Sequence, residues 1–140
     1  PMTLEQLNDE AGAFIGDIMQ VPPMVSAIKK GGVPLYKLAR KGQEVEREPR
    51  LIHIYNFRFT DYAEPVGTFK LACTKGTYVR SVAHDLGQKL GCGAHLATLR
   101  RSVSGKFDVA DATTLDAVLN LSLAELEKRV IPFLKLAAGA

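Results

Sequence analysis

Two side chains near the middle of the chain, Tyr78 and Arg80, have the chemistry to hold a flat, anionic substrate. An aromatic ring with an ionisable hydroxyl can stack on such a substrate, while a guanidinium holds a carboxylate or phosphate through charge-assisted hydrogen bonds. A half-buried aromatic residue and a surface salt bridge are the more common roles of such a pair. Their spacing alone therefore leaves both interpretations open.

The pair lies where a strand is predicted to give way to a helix. Thr77 is a good N-cap for that helix, and Gly91 is a good C′ residue at its end. The apolar residues between them recur at helical spacing: Val79, Val82, Leu86 and Leu90. Residues two apart point to nearly opposite sides of a helix but to the same side of an extended segment. Tyr78 and Arg80 therefore converge only if the chain over 77–79 is extended or just entering the first helical turn.

A series of short motifs runs along nearly the whole chain. In order, they are Gln20-Val21-Pro22-Pro23-Met24, Ser26-Ala27 with Lys29, Leu35-Tyr36, Ala39-Arg40, Lys75-Gly76-Thr77-Tyr78, Arg80, His84-Asp85-Leu86-Gly87, and Gly91-Cys92-Gly93-Ala94-His95 with Leu99-Arg100-Arg101. Together they closely resemble the motifs of the bacterial tRNA pseudouridine synthase B (TruB) family, which isomerises the uridine in the T-loop of tRNA. Val25 departs from the pattern, because the family usually has an aromatic residue there. The resemblance implies that the chain is the C-terminal half of a pseudouridine synthase catalytic domain.

The resemblance also implies roles for individual residues. Tyr78 would pack on the uracil base and help to remove the C5 proton, and Arg80 would hold the catalytic aspartate charged and oriented. Leu99 would form a wall of the base pocket, while Arg101 and Lys29 would contact the RNA backbone. Because the isomerisation involves neither redox chemistry nor hydrolysis, we expect no cofactor and no metal.

The carboxylate that this chemistry needs is not evident in the sequence. In the resembled family it lies in a glycine-rich Leu-Asp motif in the N-terminal half of the catalytic domain, which we expect to precede Pro1 in a longer protein. Asp116 falls in the first turn of a predicted helix, where a carboxylate favours the helix dipole. Asp85 is interpreted as structural or RNA-facing. We therefore expect the chain to lack the catalytic aspartate and to be inactive alone; the alternative function is a non-catalytic RNA-binding module.

The segment 20–50 has the composition of a basic arm. Between Val21 and Gln43 there is no acidic residue, and there are five cations: Lys29, Lys30, Lys37, Arg40 and Lys41. Prolines and glycines separate the segment from its surroundings, and it has too few apolar residues for a core of its own. Cations neutralise phosphates whatever the base sequence, and an aromatic ring can stack on a base. The pattern predicts a projecting RNA-binding arm, called a thumb in the resembled family, with a solvated basic helix as the alternative.

The contacts expected from this arm come from four of its residues: Lys29, Tyr36, Lys37 and Arg40. The predicted partner is accordingly the T-arm stem-loop of tRNA. A net charge of +3 and an isoelectric point near 9.0 mildly favour such an anionic partner.

Apolar spacing predicts the scaffold. Thr3 and Gln6 form a capping box before a first helix, and Thr114 and Ser122 begin two more near the C-terminus. Alternation over 51–60 and again over 68–73 predicts an antiparallel hairpin, and 94–101 reads as a further strand. One face of the first hairpin strand would carry Leu51, His53, Tyr55, Phe57 and Phe59.

These elements predict an α+β fold, with a mixed, largely antiparallel sheet flanked by helices and interrupted by the arm. We expect a single, partial catalytic domain over 1–140. Half a sheet leaves an unpaired edge, which the missing N-terminal half or a second copy of the chain would cover.

Other function classes fit less well. The sequence has no apolar run long enough to span a bilayer and no signal peptide, and two cysteines give no disulfide framework, so we expect a cytoplasmic protein. A zinc site using Cys92 and His95, with His84 and Cys73, lacks the usual paired cysteine spacings. A hydrolase built on His84-Asp85 lacks a nucleophile elbow.

Overall fold

The computed structural model describes residues 2–137, and the chain divides into two compact units, Pro1–Thr98 and Leu99–Ala140. The single catalytic domain expected over 1–140 stays a prediction. The two units differ in packing: the first unit has a hydrophobic core, whereas none of the described residues of the second unit is buried. No described helix is long and apolar enough to cross a membrane.

Residues 2–98, the described part of the first unit, form three helices and five strands. In chain order they are α1 (Leu4–Gly12), β1 (Gly16–Gln20), β2 (Lys29–Lys30), β3 (Val33–Pro34), α2 (Leu35–Arg40), β4 (Arg50–Ala63), β5 (Val66–Cys73) and α3 (Val79–Lys89). Helix α1 begins at the predicted capping box, in which the Thr3 hydroxyl accepts from the Gln6 N–H and the Gln6 side chain accepts from the Thr3 N–H. Because every described strand pair is antiparallel and helices accompany the sheet, the predicted α+β class is confirmed.

The core of the first unit lies on one face of the three-stranded sheet, whose order is β1-β4-β5. It joins side chains from α1, β4 and α3: Leu7, Ala11, Ile52, Ile54, Phe57, Phe59, Val82 and Leu86. Phe69 of β5 adds an edge-on contact with Phe57, their ring centroids being 5.2 Å apart. This packing fixes the start of α3 against the sheet, and with it the position of the candidate site.

The predicted face of β4 is wrong because the strand contains a bulge at Tyr55. Ile54 pairs with Cys73 and Asn56 with the adjacent Ala72, so Tyr55 is an extra residue without an opposite partner. One extra residue moves the side chains that follow to the other face, here as far as the second register shift between Phe59 and Asp61. The core therefore receives Ile52 and Ile54 before the bulge but the odd-numbered phenylalanines after it, while Tyr55 is 61% exposed.

The strand predicted over 94–101 is absent from the structure. After α3 the chain folds back on the helix, and the Gly93 N–H donates to the Gly87 carbonyl at 2.9 Å. A Cβ at Gly87 would lie only 2.1 Å from the Ala94 nitrogen, so the close return depends on that glycine. Alternating residues alone do not make a strand when no neighbouring strand supplies a ladder.

Between residues 99 and 137 the second unit contains only short elements. They are β6 (Val103–Ser104), β7 (Phe107–Asp108), a 3-10 turn (Val109–Asp111), α4 (Leu115–Leu119), α5 (Leu123–Arg129) and α6 (Phe133–Ala137). Helices α4 and α5 begin at the predicted caps Thr114 and Ser122. Several large apolar side chains are exposed, among them Leu115, Leu119, Leu123, Phe133 and Leu134.

Candidate functional site

Tyr78 lies where the chain passes from extended backbone into α3. It is the N-cap residue, with φ −96° and ψ 105°, and the helix begins at Val79. The N-cap predicted at Thr77 is therefore wrong by one residue; the Thr77 hydroxyl is buried and has no hydrogen-bond partner among the described residues. The geometric condition for Tyr78 and Arg80 is met, because Tyr78 is still extended and Arg80 lies in the first helical turn.

The backbone of Tyr78 is held by the side chain of Gln20, at the end of β1. The Tyr78 N–H donates to Gln20 Oε1 at 2.8 Å, and Gln20 Nε2 donates to the Tyr78 carbonyl at 3.1 Å. This contact explains why α3 starts after Tyr78 without a side-chain cap. The motif Gln20-Val21-Pro22-Pro23-Met24 had implied no role for Gln20. Gln20 is the one buried residue of β1, and its burial is seen only in the structure.

Arg80 is exposed, and its guanidinium reaches the arm. Its Nη2 donates to the backbone carbonyl of Val25 at 2.7 Å. A guanidinium has five N–H donors. One bond to Val25 therefore leaves donors that can hold a carboxylate as well.

The arm between β1 and β4 is a compact structure organised around Leu35, which is 2% exposed. The N–H groups of Leu35 and Tyr36 donate to the carbonyls of Ile28 and Ser26, at 2.7 and 3.0 Å. Helix α2 ends with Gly42 at φ 69° in the C′ position. These bonds give the arm a defined shape.

The predicted RNA-binding residues of the arm present an exposed cationic surface. Lys29, Lys37 and Arg40 are exposed, and none of them forms an ion pair with a described residue. Arg40 lies over the Tyr36 ring, with its guanidinium carbon 5.4 Å from the ring centroid. Because the two residues are four apart on α2, the helix itself brings the cation and the ring together.

Leu99 and Arg101 belong to the second unit, where both are exposed. The structure describes them within that unit only. The predictions that Leu99 forms a wall of the base pocket and that Arg101 contacts the RNA backbone therefore stay predictions. The candidate zinc ligands include Cys73, which is half-buried, and Cys92, which is exposed; both are free cysteines. Over residues 2–137, no group of three or more His, Cys, Asp or Glu side chains is arranged to hold a metal ion.

Two family models match the chain. The one described as TruB family pseudouridylate synthase (N terminal domain) matches residues 1–79, and the one described as tRNA pseudouridylate synthase B C-terminal domain matches residues 80–135. The two matches meet between Tyr78 and Arg80.

Individual relatives agree with these matches. The chain is 60% identical to tRNA pseudouridine synthase B of Opitutus terrae over 132 residues, covering 94% of this chain and 55% of that protein. It is 52% identical to tRNA pseudouridine synthase B of Geotalea uraniireducens over 115 residues, covering 82% of this chain and 37% of the relative. The chain therefore spans about half of the first relative and less of the second.

A solved structure shares the fold. A chain in the crystal structure of a Cbf5-Nop10-Gar1 complex superposes with a TM-score of 0.73 at 25% identity, covering 94% of this chain and 38% of that one. The predicted resemblance is thus confirmed by sequence and by fold, and the chain belongs to the TruB family of pseudouridylate synthases.

Proposed function

We propose that the chain is the RNA-holding part of a tRNA pseudouridine synthase, which isomerises the T-loop uridine of tRNA. One observation carries this proposal: Gln20 and Arg80 hydrogen-bond the base of the cationic arm to the start of α3, where Tyr78 lies. These bonds hold three kinds of group in one part of the first unit: the Tyr78 ring, which can stack on a base, the Arg80 guanidinium, which can bind a carboxylate, and the arm cations, which can bind phosphates.

The reaction breaks the bond between uracil N1 and the ribose C1′, turns the base, joins its C5 to C1′ and moves the C5 proton to N1. It is an isomerisation, so no atom is gained or lost. The Tyr78 ring would stack on the uracil after the nucleotide leaves its loop, and the phenol oxygen would help to remove the C5 proton. The free N–H groups of Arg80 would hold the aspartate, which we infer lies in a part of the protein outside these residues.

The arm would supply affinity for the T-arm stem-loop. Lys29, Lys37 and Arg40 would each neutralise a phosphate, and Tyr36, already paired with Arg40, would offer its ring to the RNA. By the family resemblance, Leu99 would form a wall of the base pocket and Arg101 would contact the RNA backbone. Action on tRNA would place the protein in the cytoplasm.

The described sheet presents unpaired edges and an exposed apolar surface. β1 and β5 are the outer strands of the described sheet, so each has an unpaired edge. Met19 and Leu51 face each other in the β1–β4 register and are 62% and 67% exposed. We propose that the remainder of the catalytic domain covers this surface, with a second copy of the chain as the alternative partner.

A non-catalytic RNA-binding module is the second candidate function. It is favoured by the contact of Arg80, which in this structure meets a backbone carbonyl and forms no ion pair among the residues of the first unit. The two functions differ in turnover and not in RNA binding.

Tritium release from tRNA labelled at uridine C5 tests the proposal. The chain alone, at catalytic and at stoichiometric concentration, should bind the tRNA in a salt-dependent way and release no tritium. Release by the chain alone would show that Asp85, Asp116 or another carboxylate within it does the chemistry. Mixing the chain with the part of the Opitutus terrae protein that it does not cover should restore tritium release. If the two form a stable complex that still releases no tritium, the non-catalytic RNA-binding function would be favoured.

A further inference from the structure

Gln20 is one of two buried polar side chains among the described residues, and it is 3% exposed. A buried amide requires partners for both its oxygen and its nitrogen. Gln20 finds both on one residue, Tyr78, which is 58 positions away in the sequence. Gln20 is the last residue of β1 and the first residue of the arm.

The two bonds fix the orientation of the amide and of the backbone that it meets. The Tyr78 N–H can only donate and its carbonyl can only accept, so Gln20 Oε1 must face the first and Nε2 the second. The Tyr78 carbonyl also accepts the first helical N–H groups, from Ser81 at 3.0 Å and Val82 at 3.2 Å. The amide thus holds both backbone groups of the residue at which extended chain becomes helix.

We propose that Gln20 is a positioning residue for the uridine site: by holding the Tyr78 backbone extended, it sets the direction in which the phenol ring leaves α3. If Tyr78 joined the helix, its ring and Arg80 would point to nearly opposite sides. This inference rests on the proposed function, because the direction of the ring matters only if the ring meets a base.

Hydrogen exchange at the Tyr78 amide tests the geometric half of the proposal. Gln20→Met keeps the length of the side chain and removes both hydrogen bonds, so exchange at Tyr78 should become at least about 10-fold faster. Gln88→Met is the matched control, since Gln88 is exposed on α3 and its side chain makes no hydrogen bond to a described residue. Unchanged exchange in the Gln20 variant would overturn the proposal.

Gln20→Glu is a more conservative variant that tests the same two hydrogen bonds, and it replaces Gln20→Met if the methionine variant does not fold. The ionised carboxylate accepts from the Tyr78 N–H but repels the Tyr78 carbonyl, whereas the protonated acid both accepts and donates. Burial raises the pKa of such a carboxyl. Tyr78 exchange relative to the unsubstituted chain should therefore return towards normal as the pH falls; a constant ratio across pH would contradict the two-bond geometry.

RNA binding tests the second part of the proposal, that the positioned Tyr78 ring stacks on the target base. The probe is a T-arm stem-loop with either uridine or an abasic sugar at the target position. A stacked base contributes an affinity factor of about 10, so the unsubstituted chain should prefer the uridine loop by about that much. Gln20→Met should lose the preference and keep its salt-dependent affinity for both loops.

The remaining outcomes separate the two proposals. A preference that survives in Gln20→Met, with Tyr78 exchange accelerated, would make Gln20 merely structural and overturn the inference. No preference in the unsubstituted chain would refute the uridine-binding role of Tyr78, and the positioning role would fall with it.

Discussion

Replacing three exposed cations of the arm should lower the salt dependence of RNA binding by the share of three phosphate contacts. The perturbation is the triple variant Lys29→Gln, Lys37→Gln and Arg40→Gln. All three side chains are exposed and without an ion pair in the described structure, so each can release a counterion from a phosphate. Each such contact contributes about 0.9 to the slope of log affinity against log salt on a duplex, and about 0.7 on a single strand. Three contacts correspond to an affinity loss of about 40-fold between 50 and 200 mM salt on a duplex.

The matched control removes the same charge elsewhere. Arg58→Gln, Lys70→Gln and Lys128→Gln also replace two lysines and one arginine and also bring the formal net charge from +3 to zero. Fluorescence anisotropy with a labelled T-arm stem-loop over that salt range should show a slope smaller by about 2 to 3 in the arm variant and a nearly unchanged slope in the control. Equal slopes in the two variants would refute the arm as the phosphate-binding surface, because net charge alone would then account for binding.

Two further predictions concern the scaffold. Gly87→Ala would place a Cβ 2.1 Å from the Ala94 nitrogen and should lower the free energy of unfolding by about 1–3 kcal/mol, measured by thermal unfolding. In the control Gly12→Ala the Cβ meets no atom within 4 Å, so stability should stay the same or rise. Equal effects of the two substitutions would contradict the close return of the chain onto Gly87. Two hydrogen bonds lower the pKa of Glu125: the larger effect comes from the Ser122 hydroxyl and the smaller from the Ser122 N–H. The capping box should therefore stabilise α5 fully at pH values above the ordinary carboxyl pKa. This stabilisation should be lost as the pH falls through the lowered pKa of Glu125. An NMR titration of the Glu125 carboxyl should therefore move to higher pH in Ser122→Ala, and an unmoved midpoint would refute this cause.

Local signals predicted the ends of elements well. The capping boxes at Thr3 and Ser122 lie where the sequence indicates, because each forms from residues three apart that meet as soon as the helix turns. Gly91 follows α3 with φ 76° for a similar reason, since few other residues adopt that conformation readily. The arm was recognisable from its run of cations without an acid, which needs no tertiary contact to be seen.

Long-range contacts decided what local signals missed. The bulge at Tyr55 depends on the register between β4 and β5, which alternation within one strand does not contain. The missing strand over 94–101 reflects a return of the chain onto Gly87, a contact set by helix packing.

The sequence by itself determined the family, the α+β class and the cationic composition of the segment 20–50, because these follow from residue types and short spacings. The roles that it predicts for Tyr78 and Arg80 stay proposals. Only the tertiary structure decided that Gln20 holds the Tyr78 backbone and that Arg80 reaches the carbonyl of Val25. Both contacts join residues more than 50 positions apart, and a hydrogen bond between such residues exists only once the sheet and α3 have packed together.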